Sequence, residues 1–150
     1  MKVVIETIPH EQQTYDTCGD WRFEDERGRP ITQRLAKRLI NTEKCVLRIR
    51  ISSLNSWKYE MLVAVHELVE TLLCLNDGVM VEAVDKFDKA FEAARKEGNE
   101  DEPGDDPKAP YVRQHCVATA VERLLCAELC CDWKTYDKRV FSLPTIPSKE

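Results

Sequence analysis

The pattern of apolar and polar positions changes character about a third of the way along the chain. The first part reads in twos. Lys2 to Ile8 is a short β-rich run. Gln12 to Thr17, a Cys18-Gly19 turn signal and Trp21 to Glu24 together predict a hairpin. Gly28-Arg29-Pro30 breaks the chain, and Ile31 to Ile40 predicts a short basic helix with Ile31, Leu35 and Leu39 on one face. Cys45 to Ser52 (CVLRIRIS) alternates, with Leu47, Ile49 and Ile51 on one side and Arg48 and Arg50 on the other. That is a strand with one wet face.

From there the pattern turns helical. One helix is predicted from Trp57 to Leu75, stopping at Asn76-Asp77-Gly78, where glycine suits the left-handed C-terminal position. A second covers Val81 to Lys96, and Met80, Val84, Phe87, Phe91 and Ala94 fall on one face of it. Gly98 to Ala109 is polar and rich in Gly and Pro, hence a loop. Pro110 opens a third helix, Tyr111 to Trp133. Two prolines in FSLPTIPSKE predict an extended tail. Strands followed by helices imply an α+β fold: a small N-terminal antiparallel sheet or hairpin packed against three main helices. The expected organisation is one domain over residues 1–136 and an extended tail over 137–150.

Length and composition narrow the class. A chain of 150 residues, 43% hydrophobic and 33% charged, is one globular domain and excludes wholesale disorder, collagen or a pure coiled coil. No apolar run approaches the roughly 18 residues of a membrane span. The opening MKVVIETIPH lacks a signal-peptide core, so a cytoplasmic protein in a bacterial host cell is the expectation. A net charge of −5 disfavours nucleic acid as a partner. Seven cysteines, an odd number, do not suit a disulfide framework. Cys126 and Cys130 lie one turn apart, but no CxxC pair supports a thiolate metal site.

The helix from Trp57 to Leu75 carries the candidate chemistry. Apolar residues cover most of its circumference, which predicts burial, yet His66, Glu67 and Glu70 interrupt it (MLVAVHELVETLLC). His66 and Glu70 are four apart and share a face. Burying an imidazole and two carboxylates is costly without compensation, and a bound cation supplies it. In H-E-x-x-H metallohydrolases the first and last residues hold zinc and the Glu is the general base. Here Glu70 replaces the second histidine. The reading is therefore a zincin-like site: His66 and Glu70 as ligands and Glu67 activating a metal-bound water. Zinc is the first choice, with manganese, iron or magnesium acceptable to the more oxygen-rich set. The strand VLRIRIS before this helix matches the zincin order of edge strand and site helix. The competing structural reading puts Glu67 and Glu70 on a solvated edge with Glu60 and Thr71.

A third ligand has to come from another element. His115 and Asp88 are the candidates, with Asp85 behind Asp88 because it points further from the core stripe. His115 shares one side of its helix with Thr119, Glu122 and Cys126. That side adjoins an apolar face of Val117, Val121, Leu124 and Leu125. Glu122 is a candidate to orient His115, or else pairs with Arg123 or Arg113. Asp105 and Asp106, in the loop before His115, are alternative ligands.

The runs VHELVETLLC, VDKFDKAF, PGDDPKAPYVRQH and ATAVERLLCAEL, followed by DWKTY, together with the earlier GDW and IRIS, resemble a family of small phage and prophage proteins of unassigned function. The likeness covers about residues 15 to 136; the basic helix Ile31 to Ile40 looks like an insertion. The resemblance implies a phage-encoded protein with a HExxE helix and no known activity.

Three functions compete. The first is a metal-dependent hydrolase acting on peptide or amide bonds. The second is a non-enzymatic phage protein that binds and inhibits a host factor. For it, six acids without a base in Glu97 to Asp106 and a local charge of +5 over residues 22–50 are candidate partner surfaces, and a homodimer is a further candidate. The third is a MazG- or dUTPase-like nucleotide pyrophosphohydrolase, with Glu67, Glu70, Glu82 and Asp85 as magnesium ligands.

Overall fold

The computed structural model describes residues 1–96, 98–99 and 101–146. Its architecture is α+β, with a three-stranded sheet and five helices. The strands are β1 (Lys2–Ile8), β2 (Gly19–Glu24) and β3 (Val46–Ser52). The helices are α1 (Gln33–Leu39), α2 (Trp57–Asp77), α3 (Val81–Ala93), α4 (Val112–Glu128) and α5 (Trp133–Phe141).

The sheet is mixed, which corrects the expected antiparallel sheet and hairpin. Its order is β1-β3-β2, with β1 parallel to β3 (Lys2 opposite Val46) and β2 antiparallel to it (Gly19 opposite Ile51). Gln12 to Thr17 forms a short 3-10 turn and loop rather than a hairpin arm. The zincin-order expectation also changes: the strand before the site helix is central. Leu47, Ile49 and Ile51 have no exposed surface, each stabilising the fold by about 1.5–3 kcal/mol through burial. A strand with such a face gains most where it is paired on both sides.

Helix α2 packs across β3 and β2 and against α4. Gly78, at φ 78°, takes the left-handed position that ends it, and its N–H bonds the Cys74 carbonyl. The buried Gln33 of α1 fixes the start of α3. Its amide donates to the Val79 carbonyl at 2.8 Å, and its carbonyl accepts from the Val81 N–H at 2.8 Å, one of the N–H groups left free at the head of that helix. Burial of α2 is one-sided, against the expectation from its composition: Leu62, Val63 and Ala64 are buried while Trp57, Met61 and Leu72 are exposed.

Helix α4 is turned opposite to its apolar pattern. Val117 and Leu124 face solvent, Leu124 with 70% exposure, and Gln114, His115, Ala118, Glu122 and Cys126 face inward. The long third helix also ends early, at Glu128. A left-handed Cys130 (φ 53°) turns the chain, and Asp132 accepts the Thr135 N–H at 2.8 Å to cap α5. The first residues of the expected 137–150 tail are thus helical. Ile146 is buried, and 147–150 lie outside the described residues, as do Glu97 and Glu100 of the acidic loop.

Candidate metal centre

Helices α2 and α4 lie side by side, with their polar inner faces towards each other. His66 Nε2, His115 Nδ1 and Glu70 Oε2 converge: the two nitrogens are 3.2 Å apart, and the carboxylate oxygen lies 3.4 Å from the first and 3.1 Å from the second. Four donors around zinc at bonds of roughly 2.0–2.1 Å stand about 3.3–3.4 Å from one another, so the triangle is close to one face of such a tetrahedron. This trio is the one group of potential metal ligands found among the described residues. All three residues are buried, Glu70 with 6% exposure and His115 with 5%. The solvated-edge reading therefore fails for Glu70, and for Thr71, which is wholly buried.

The far nitrogen of each histidine is also held. His66 Nδ1 lies 2.9 Å from Glu122 Oε2, and the Tyr136 hydroxyl of α5 donates to the other Glu122 oxygen. His115 Nε2 lies 3.2 Å from Glu102 Oε2 and 3.6 Å from Asp105 Oδ1. Carboxylates on the outer nitrogens fix the ring orientation and leave the inner lone pairs to a cation. Glu122 thus serves His66, rather than His115 or a neighbouring arginine. The loop before α4 comes so close that a Cβ on Gly104 would overlap the His115 ring.

Electrostatics follow from this crowding. Burial opposes the charged form of His66, but hydrogen bonds to Glu122 and Glu70 outweigh it and push its pKa up to about 11. His115 is pushed up to about 10 against the same burial by Glu102 and Glu70. Burial acts against the charged form of Glu70 too, yet its bonds to the two histidines hold its carboxyl below the usual range. Without a metal, protonation of the histidine pair supplies positive charge to the buried carboxylates, and the 3.2 Å contact between its inner nitrogens has room for one proton.

Glu67 stands one residue away, facing a cavity of about 320 Å³ that also exposes the trio. Burial and the nearby Glu70 push its carboxyl up to about 8, within the range of a working general base. Gly19, at the start of β2, makes room for it: a Cβ there would sit 2.6 Å from Glu67 Oε1.

Asp88 lines the cavity but lies outside the trio. Tyr111 donates to its Oδ1 at 2.6 Å and Tyr15 to its Oδ2 at 3.3 Å, and neither oxygen joins the cluster of donor atoms at His66. Burial raises its pKa to about 7. Asp85 is half-buried on the same wall and raised by burial. Asp105 is mostly exposed, touching only the outer nitrogen of His115, and Asp106 accepts the Lys108 N–H at 2.8 Å in the turn before α4. Glu82 is exposed, so the four-carboxylate arrangement is not assembled. Glu102, Tyr136, Tyr111 and the two glycines escaped sequence reasoning. The PGDDPKAPYVRQH run holds Gly104 and Tyr111 and comes directly after Glu102; its density of turn residues just before a histidine was the signal that could have found them. His10 is buried too, with Nδ1 2.8 Å from Ser52 Oγ and Nε2 3.0 Å from the Pro144 carbonyl, and joins the N-terminal turn to the C-terminal segment.

No protein-family model matches the chain, and no curated protein or solved structure matches it either. No helix among the described residues is long and apolar enough to cross a membrane.

Proposed function

We propose that the protein is a metal-dependent hydrolase of amide or peptide bonds, zincin-like in its site helix. His66, Glu70 and His115 would hold zinc, or a related divalent metal, and Glu67 would serve as general base. The observation that carries this reading is the convergence of three donor atoms at 3.1–3.4 Å, with a carboxylate behind each imidazole. A purely structural pairing of two histidines and one carboxylate has no need for both inner nitrogens to face one oxygen. A metal held there would supply Lewis acidity at the carbonyl. Glu67 takes a proton from the attacking water as the C–O bond forms and delivers it to the leaving nitrogen as the C–N bond breaks. Glu122 with Tyr136, and Glu102, hold the imidazoles in place.

The test is metal content and turnover together. Purified protein should carry or take up one equivalent of zinc, and His66→Ala and Glu70→Ala should lose it. A fluorescence-quenched peptide library should be cleaved by the zinc-loaded protein and not by Glu67→Gln, which should keep its metal. Failure of every variant to alter metal uptake contradicts the site. Zinc uptake with no Glu67-dependent cleavage leaves a structural metal and returns the non-enzymatic reading to first place.

A further inference from the structure

The walls of the cavity carry a charge that the metal centre does not account for. Nine of its lining residues are Asp or Glu, and one is Arg. That arginine, Arg95, is already engaged by both carboxylate oxygens of Glu92 at 2.6 Å. Asp20 is taken by Arg50, and Glu70, Glu102 and Glu122 by the two histidines. The charged neighbours of Asp85 are Lys89, one turn along α3 and not ion-paired with it, and the acids Asp20 and Glu82. Asp85 and Asp88 line the cavity from one face of α3. Asp88 is more than nine-tenths buried, and the hydroxyls on its oxygens bring no charge. Tyr15 and Tyr111, whose hydroxyls bond Asp88, adjoin these carboxylates; Lys89 lies over the Tyr15 ring at 5.6 Å, which leaves the Tyr111 ring to a ligand. Aromatic faces beside uncompensated carboxylates attract an alkylammonium or guanidinium group, through cation–π and Coulomb terms together. A divalent metal at the trio does not reverse the sign of the cavity.

We infer that the cavity beside the His66–Glu70–His115 centre selects a cationic substrate, an amide or peptide with a lysine- or arginine-like side chain seated against Asp85 and Asp88. This deepens the hydrolase reading and rests on it for the position of the scissile bond.

Matched hydroxamates test it, since each carries the same metal-binding group. Binding of lysine, norleucine and glutamate hydroxamates to the zinc-loaded protein would be measured by calorimetry. Lysine hydroxamate should bind about tenfold or more tightly than norleucine hydroxamate, the equivalent of one well-placed ion pair, and glutamate hydroxamate should bind least. Asp85→Asn and Asp88→Asn should each narrow the lysine preference, and so should raised salt. Asp85 does not hold a tyrosine hydroxyl as Asp88 does, so its variant remains informative if Asp88→Asn folds poorly. Equal or weaker binding of the lysine compound, or a preference unmoved by Asp85→Asn, overturns the inference. If the protein takes up no zinc, the hydrolase reading falls by itself. Lysinamide against norleucinamide on the metal-free protein then decides the cation preference: retained preference supports it, and none overturns it.

Discussion

Two regions of this molecule bury charge, and they do so in opposite ways. On the outer face of the sheet, each carboxylate meets an arginine of the same chain. Arg48 bonds Glu24 at 2.7 Å and Glu6 at 3.1 Å, Arg22 also bonds Glu24 at 2.7 Å, and Arg50 binds Asp20. Glu24 is only 1% exposed and is nonetheless matched. Between α2, α3 and α4 the ratio reverses: apart from Asp20, which Arg50 holds, eight acids line the cavity with one arginine and three histidines. The sheet's charges are balanced internally. Those of the cavity are completed by histidine protonation or by something from outside. A fold that matches charge so closely in one layer has the means to do it in the next, so the imbalance points to a ligand.

The largest expected effect is metal-dependent stability. Zinc at a hundredfold excess over its Kd adds about 2.7 kcal/mol by mass action, which for a chain of this size raises Tm by roughly 5–10 °C. A chelator should reverse the gain, and His66→Ala or Gly104→Ala should never show it. A thermal scan with and without zinc checks this, and a shift of equal size in both variants would place the metal elsewhere.

Next comes the outer layer of the centre. Glu122→Gln should weaken zinc about 10–100-fold, in the range found for partners of ligating histidines. Competition with a chromogenic chelator measures it, and an unchanged affinity would mean that Glu122 does not orient His66.

The sheet supplies the contrast. Arg48→Met should cost about 1.5 kcal/mol of stability, at the lower end for charged hydrogen bonds because Arg22 still holds Glu24. Urea denaturation should show that loss equally with and without zinc. A loss that zinc repairs would show that the two regions are not independent.

The smallest effect is a pH trend. Burial raises Asp88 to about 7, so the fold on its own favours the protonated form, and a cation seated against it favours the carboxylate. The contribution of the protonated form is full below the ordinary aspartate range and is lost as pH rises from about 4 towards 7. In Asp88→Asn that loss disappears, so the variant should gain on the natural protein across this window in urea midpoints. Parallel curves would contradict the assignment.

How much of this was legible in the sequence depends on what each element needed. The Leu47-Ile49-Ile51 alternation marked β3, and Gly78 marked the end of α2, because both are set within a few residues. The histidine and carboxylates inside an apolar helix marked the candidate site for the same reason. The parallel pairing of β1 with β3 rests on contacts across more than forty residues, and no local pattern states it. Helix α4 misled because its Leu and Val positions suggest the buried side. The polar side is inside instead, since His115 and Glu122 find their partners on α2. Tyr136 belongs to a helix that the turn at Cys130 separates from α4, and Glu102 to a loop whose acids read as a partner surface, with Asp105 and Asp106 as its candidate ligands.

The most direct measurement is X-ray absorption at the zinc edge of the one-to-one complex. The predicted result is a shell of nitrogen and oxygen at about 2.0–2.1 Å with the scattering of two imidazoles. A sulfur shell at about 2.3 Å would place the metal on the cysteines and contradict the assignment of the centre to His66, Glu70 and His115.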